Sequence, residues 1–187
     1  MHYEEMLTWL LFYLSLFDAR KTSAQAVMDP GGVVQSQVIE SGLSTGQAGL
    51  RLVLNGSQSA QTLTARFVQE FFGSGVQHIA LTTRDIRATV ARLAANGVPL
   101  LAIPENYYDD LEARTALSAA EIDSFKALNI LYDADAEGYF LHIYTQVLDG
   151  GFFLEVVQRE GYHGYGAVNA PIRLAAQTRA RGSAIER

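Results

Sequence analysis

Three separate segments of the sequence each place one metal-capable side chain among apolar neighbours. His78 lies in GVQHIALTT, His142 in YFLHIYT and Glu155 in FFLEVVQR, and each segment alternates as a β-strand does. An ionised carboxylate within an apolar strand is costly unless it is paired or bound to a metal ion. Two imidazoles and one carboxylate that converge, with open coordination positions, form the facial triad of non-heme Fe(II) oxygenases. A metal site is therefore one hypothesis for this chain.

Simpler interpretations of the same residues remain open. A single histidine in a strand is more often hydrogen-bonded within a core than bound to a metal, and Glu155 can pair with an arginine such as Arg114. The acidic residues Asp109 and Asp110, with Glu105 nearby, are better explained as a solvated turn than as a calcium site, because their spacing fits no EF-hand loop. The absence of cysteine excludes thiol nucleophiles, disulfides and zinc ribbons.

The composition is that of a protein with a substantial buried core. Apolar residues make up 49% and charged residues 18% of the 187 residues, which excludes intrinsic disorder. The formal net charge is −6 and the 14 basic residues are scattered, so we expect no nucleic-acid partner.

The uncharged run 6–17 is the one segment that suggests a membrane. It is shorter than the roughly 20 residues that a spanning helix needs, and the acidic residues before it do not fit a signal peptide. We therefore expect a buried helix of a soluble protein, no membrane partner and a cytoplasmic location.

The elements that must position the metal-capable residues follow an α+β order. In the first half, the pattern predicts a helix over 3–18, strands over 24–28, 33–40 and 50–54, and a polar connection over 57–72 that ends in a turn. In the second half, it predicts a strand over 76–83, a helix over 85–96, an extended stretch over 98–103, a loop that leads into a helix beginning at Ser118, strands over 128–133, 139–146 and 152–158, and a terminal helix over 172–181.

The order of these elements indicates a repeated unit. The second half has the order βαβββ, and the first half is similar to the same unit with its opening strand missing. A sheet without that strand has an exposed edge, which predicts dimerisation, aggregation or cover by another segment.

A run of motifs in this sequence resembles a known family. The segments GVQHIAL, NYYDDLEAR, ILYDADAEGYFLHIYT, FFLEVVQR and GYG closely resemble the C-terminal half of 4-hydroxyphenylpyruvate dioxygenase, a family of the vicinal oxygen chelate (glyoxalase and bleomycin resistance) superfamily. The resemblance implies two βαβββ modules, 1–72 without its opening strand and 73–160 with the metal ligands, followed by a C-terminal gate and helix over 161–187.

The resemblance is closer still to one variant of the family. The segments MHYEEMLTWLLFY and GYGAVNAPIRLAAQ are similar to the dioxygenase-like C-terminal domain that some proteins carry fused to a 3-dehydroshikimate dehydratase, a lyase. This likeness implies an upstream dehydratase domain or a second copy of the chain as partner.

The resemblance also implies a ligand set of two histidines and a glutamate. The second histidine matches His78 and the glutamate matches Glu155, whereas the first histidine is expected upstream of Met1. His142 stands where the family has a glutamine facing the metal and is a candidate substitute ligand. The resemblance implies Fe(II), with Mg²⁺, Mn²⁺, Zn²⁺ or Co²⁺ as alternatives.

The substrate pocket implied by the resemblance departs from the family pattern. The family's gate phenylalanines correspond here to Tyr165 and Ala170, and its asparagine and neighbouring serine match Asn55 and Thr45. The full set of predicted substrate-binding residues is Asn55, His142, Tyr144, Phe153 and Tyr165. These changes predict a more polar pocket than one that holds a hydroxyphenyl ring, suited to a smaller keto acid or hydroxylated acid.

Three hypotheses for the function therefore remain open. In the first, the intact domain is an enzyme that chelates vicinal oxygens of a keto acid on Fe(II) and activates O₂. In the second, it is a non-catalytic accessory or oligomerisation module of a bifunctional dehydratase. In the third, it is a degenerate domain that binds no ligand.

Overall fold

The computed structural model describes residues 1–42 and 49–185, and within those residues it contains two separate sheets. The chain divides into two compact units, Met1–Gly75 and Val76–Arg187. The boundaries predicted above, at residues 72 and 160, remain predictions. Among the described helices, none has the length and apolarity that crossing a bilayer requires.

The first unit consists of a helix, three antiparallel strands and a second helix. The sheet order is β1-β2-β3. The elements are a 3-10 turn at Tyr3–Glu5, α1 at Met6–Leu16, β1 at Ala19–Asp29, β2 at Gly32–Ser41, β3 at Leu50–Gly56 and α2 at Leu63–Glu70. This order confirms the predicted module that lacks its opening strand.

Helix α2 corrects the prediction of a polar connection over 57–72. The Thr62 side chain accepts a hydrogen bond from the Ala65 amide at 3.2 Å and so caps the helix N-terminus. The helix then buries Leu63, Phe67 and Val68 on one face. The polar residues between these positions hide the helical spacing in the sequence.

Helix α1 corrects the prediction of a fully buried helix. Leu10 is its buried residue and packs with Ile39 and Leu54 of the sheet. Leu7 and Leu11 are 64% and 59% exposed. The helix is apolar all round, but this unit covers only one side of it.

The second unit has the predicted βαβββ order. Its sheet order is β4-β7-β6-β5, in which β4 and β7 are parallel and the other pairs are antiparallel. The elements are β4 at His78–Thr82, α3 at Ile86–Ala95, α4 at Glu105–Arg114, α5 at Ala119–Ala127, β5 at Leu131–Ala134, β6 at Tyr139–Tyr144, β7 at Phe153–Glu160 and α6 at Ala170–Ile185.

Local capping explains where two of these helices begin. Asp85 accepts a hydrogen bond from the Ala88 amide at 2.9 Å and caps α3. Ser118 and Glu121 form the capping box at the start of α5, as their spacing predicts.

The stretch before α5 differs from its prediction. It was expected to be a loop, but it forms helix α4, which buries Tyr107, Tyr108 and Leu111. The expected extended stretch over 98–103 contributes a single bridge, between Leu100 and Thr145.

Candidate metal centre

The register of the second sheet brings the three metal-capable side chains to one face. Glu155 of β7 lies opposite Ala80 of β4 and opposite Tyr144 of β6. Residues two apart on a strand share a face, so His78 and His142 lie on the same face as Glu155. The alternation in the three sequence segments predicts this arrangement.

The Glu155 carboxylate lies between the two imidazoles. Its Oε1 is 2.8 Å from His142 Nδ1, and its Oε2 is 3.6 Å from His78 Nε2. His142 is fully buried and Glu155 is 6% exposed, whereas the His78 side chain is partly exposed. The alternative pairing of Glu155 with Arg114 is wrong, because Arg114 pairs with Asp110 at 3.4 Å on its own helix.

The surroundings of Glu155 favour its ionised form. Burial alone raises the pKa of the carboxyl, but the hydrogen bonds from His142 and His78 outweigh burial and hold the pKa well below its usual value. The site therefore presents a carboxylate at neutral pH.

The hydrogen bonds of His142 define its tautomer. Asn169 uses its amide nitrogen to donate to the Tyr132 carbonyl at 2.9 Å, and the same nitrogen is 3.0 Å from His142 Nε2. The Tyr132 carbonyl requires a donor, which fixes the orientation of the amide. His142 Nε2 consequently accepts a hydrogen bond from Asn169, and Nδ1 carries the ring proton and donates a hydrogen bond to Glu155.

Aromatic side chains form the wall of the same face. The Phe153 ring stacks on His78, with centroids 4.9 Å apart and planes 7° apart. The Tyr144 hydroxyl is 3.0 Å from His142 Nδ1. Burial, followed by the charge of Glu155, raises the pKa of Tyr144 well above its usual value, so this residue remains a neutral phenol.

The glycine-rich segment after β7 packs against His142. Gly166 adopts a φ of +70°, and a Cβ atom at this position would lie 3.0 Å from His142 Cε1 and 2.7 Å from Phe140. A side chain at Gly166 would therefore displace the imidazole or the phenyl ring. Tyr165, next to it, is half-buried, and its predicted contact with a substrate ring remains a prediction.

His78 and Glu155 are placed so that both can bind one metal ion. Two atoms that are each about 2.1 Å from an ion lie at most about 4.2 Å apart, and His78 Nε2 and Glu155 Oε2 satisfy this limit at 3.6 Å. Within residues 1–42 and 49–185, no group of three or more His, Cys, Asp or Glu side chains could hold a metal ion. The roles of His78 and Glu155 as metal ligands remain predictions. The role of His142 as a substitute ligand stays a prediction, and both of its ring nitrogens have hydrogen-bond partners.

Some predicted residues lie elsewhere. Asn55 belongs to the first unit, where its Oδ1 accepts a 2.5 Å hydrogen bond from Ser36. Thr45 lies outside the described residues. The substrate-binding roles of Asn55, Tyr144 and Phe153 remain predictions.

Sequence reasoning missed three polar residues of this region. Asn169 follows the GYG segment at a spacing that places it over His142. Arg173 and Gln177 are four residues apart on α6, a spacing that puts both on one helix face.

One family model and several characterised proteins are similar in sequence to this chain. Residues 6–115 match the family model described as Glyoxalase/Bleomycin resistance protein/Dioxygenase superfamily. The chain is 44% identical over 183 residues to a 3-dehydroshikimate dehydratase of Pseudomonas putida, covering 97% of this chain and 28% of that protein. It is 37% identical over 122 residues to a 4-hydroxyphenylpyruvate dioxygenase of Pseudomonas aeruginosa, covering 64% of this chain and 34% of that protein.

Two solved structures are similar over 97% of the chain. A xylose isomerase-like TIM barrel/4-hydroxyphenylpyruvate dioxygenase fusion protein matches with a TM-score of 0.78 and 43% identity, over 28% of its own length. A mutant of 4-hydroxymandelate synthase from Streptomyces coelicolor matches with a TM-score of 0.84 and 27% identity, over 52% of its own length. The chain spans about a quarter to a third of the curated relatives it matches first.

Proposed function

Because the chain belongs to the glyoxalase/bleomycin resistance protein/dioxygenase superfamily, we propose that it is a metal-dependent domain of the 4-hydroxyphenylpyruvate dioxygenase type. In this proposal it binds a keto acid or another ligand with vicinal oxygens. The observation that carries the proposal is the 3.6 Å separation of His78 Nε2 and Glu155 Oε2 on adjacent strands. The Glu155 carboxyl also stays ionised although it is buried.

Each residue of the site has a defined part in this proposal. His78 and Glu155 hold a divalent ion, and a histidine on a strand upstream of Met1 completes the set in a longer protein. A set of two histidines and one carboxylate suits Fe(II), and Mg²⁺, Mn²⁺, Zn²⁺ and Co²⁺ are the alternatives. When bound, such an ion polarises the oxygens it chelates and lowers the cost of developing negative charge on them.

The other residues of the face support this pair. His142 donates to Glu155 Oε1 and so leaves Oε2 directed toward His78. Phe153 stacks on the His78 ring and restricts its rotation. Such outer partners orient metal ligands and raise metal affinity.

The similarity to 3-dehydroshikimate dehydratase extends the proposal to the whole protein. Nearly all of this chain, 97%, matches 28% of that relative. We therefore propose that the chain forms one part of a longer cytoplasmic polypeptide with a dehydratase domain. Activation of O₂ on a bound keto acid is the reaction that fits the proposed ligand set.

A second candidate function is that of an accessory or oligomerisation module. The observation that favours it is the exposed apolar side of α1, where Leu7 and Leu11, one turn apart, are 64% and 59% exposed. Contiguous exposed apolar surface of this kind is typical of a face that a partner covers.

The test of the metal-site proposal is metal content and metal affinity. We would measure Fe, Mn, Co and Zn by elemental analysis, and Co²⁺ binding by titration calorimetry, on untagged protein and on the variants His78→Ala and Glu155→Gln. The matched control is His163→Ala, because His163 forms an exposed pair with Glu137 at 2.8 Å in the same unit.

The proposal predicts that one equivalent of metal binds to the unmodified protein and to the control, and that both site variants lose it. The same titration on a longer protein that contains the upstream strand should give a higher affinity, because a third ligand is added. Equal metal content in all four proteins would contradict the proposal and favour the accessory module.

A further inference from the structure

A half-buried guanidinium borders the proposed metal site. The Arg173 guanidinium carbon lies 5.3 Å from the centroid of the Phe153 ring and 5.5 Å from that of Tyr144. Its NH1 group donates to the Gln177 side-chain oxygen at 2.8 Å. Across the part of the chain that the structure describes, Arg173 forms no ion pair with a carboxylate. A partly desolvated cation without an anionic partner is unusual unless a ligand supplies one.

A hydrogen-bond donor without a partner lies next to this guanidinium. Gln177 is 3% exposed, and its amide nitrogen has no hydrogen-bond partner among the described residues. The amide orientation is fixed, because the oxygen must face the Arg173 donor. The orphaned nitrogen is two bonds from that oxygen. Arg173 and Gln177 therefore lie one helical turn apart. Together they present a cation without an ion-pair partner and an amide N–H without an acceptor.

We propose that Arg173 and Gln177 form an anion-binding end of the site at His78 and Glu155, and that its ligand carries a carboxylate in addition to the oxygens that bind the metal. This inference rests on the proposed function, since it assigns both groups to one ligand. A carboxylate accepts two parallel hydrogen bonds from a guanidinium and has lone pairs left for an amide.

The aromatic wall connects the two ends of the site. The Phe153 ring stacks on His78 and also contacts Arg173, so a single side chain connects the guanidinium with a proposed metal ligand.

The experiment compares matched pairs of 2-oxo acids on the Co²⁺-loaded protein. The probes are oxaloacetate, 2-oxoglutarate and 2-oxoadipate, each paired with the monocarboxylate of the same length: 2-oxobutanoate, 2-oxopentanoate and 2-oxohexanoate. Dissociation constants come from calorimetry and from the Co²⁺ absorption spectrum. The variants are Arg173→Leu, Arg173→Lys and Gln177→Leu, with Arg179→Leu as the control because Arg179 is exposed on the same helix.

At one or more lengths we expect the dicarboxylate to bind at least tenfold more tightly than its partner in the unmodified protein and in the Arg179 control. Arg173→Leu should abolish this preference, Arg173→Lys should keep part of it and Gln177→Leu should reduce it, because each variant weakens the dicarboxylate more than its monocarboxylate partner. A purely structural role for Arg173 would weaken both members of each pair alike.

Two other outcomes would overturn the inference in different ways. If monocarboxylates change the Co²⁺ spectrum but no dicarboxylate is preferred, the anion-binding end is wrong and the proposed function stands. If no 2-oxo acid changes the spectrum of the unmodified protein, both are wrong.

Discussion

His142 Nδ1 lies 2.8 Å from Glu155 Oε1, and both side chains are buried on the same face of the second sheet. This contact uses one carboxylate oxygen and leaves the other 3.6 Å from His78. Because Asn169 occupies the opposite ring nitrogen of His142, the imidazole donates rather than accepts at Glu155. The 4-hydroxyphenylpyruvate dioxygenase family, which this chain resembles, has a glutamine at the position of His142. The contact between His142 and Glu155 is therefore a difference between this chain and that family pattern.

Replacement of His142 tests how much this contact stabilises the fold. His142→Leu removes the donor and leaves a buried carboxylate with one partner fewer, which should lower the free energy of unfolding by about 2–3 kcal/mol. His142→Gln keeps a donor at this position and should cost less. Urea unfolding followed by circular dichroism measures both. Equal losses for the two variants would show that volume, and not the hydrogen bond, determines the effect.

Asn169 should control the position of the ring proton of His142. In the unmodified protein we expect ring-nitrogen NMR spectra to show the proton on Nδ1. Asn169→Asp replaces the donor that faces Nε2 with an acceptor, so the proton should move to Nε2 or a second proton should be added there. Gln177→Leu serves as the control, because Gln177 lies on the following helix, α6, where its side chain pairs with Arg173. An unchanged spectrum for Asn169→Asp would contradict the tautomer assigned here.

The sequence predicts part of this site because strand geometry is regular. Alternation predicts which face of its own strand each of His78, His142 and Glu155 occupies, and in the structure these faces coincide. Alternation does not specify strand register, so it leaves undecided whether Glu155 meets Arg114 or the two histidines.

The remaining differences have similar physical reasons. Helices α2 and α4 are amphipathic in short, polar segments, and their apolar faces become recognisable only when the surface they pack on is known. The exposure of α1 depends on which other elements pack against the helix. The apolar sequence of the helix alone does not show this. The pairing of Arg173 with Gln177 was missed because two polar residues on a terminal helix are usually solvated.

The pH dependence of stability should reveal the ionised Glu155. The pKa of this carboxyl is lowered on folding, so its contribution is complete above the unfolded-state value near 4.3 and is lost as the pH falls through the lower folded-state pKa. The difference in unfolding free energy between the unmodified protein and Glu155→Gln should therefore be largest near neutral pH and shrink below about pH 4.

Denaturant unfolding at a series of pH values gives this difference directly. Glu137→Gln is the matched control, because Glu137 also contacts a histidine but is 69% exposed, and surface pairs contribute little to stability. A difference for Glu155→Gln that does not change with pH would contradict the lowered pKa.

The exposed side of α1 should determine whether copies of this chain associate. Leu7 and Leu11 are one turn apart on that side and are 64% and 59% exposed. Burial of such side chains in an interface contributes about 1.5–3 kcal/mol for each, so the double variant Leu7→Ser/Leu11→Ser should be monomeric at concentrations at which the unmodified chain forms oligomers. Size-exclusion chromatography with light scattering measures the mass. Val168→Ser, which changes a 56% exposed residue of the second unit, should leave the mass unchanged, and Co²⁺ binding should be the same in all three proteins. A monomeric unmodified chain would contradict this prediction and remove the support for an oligomerisation module.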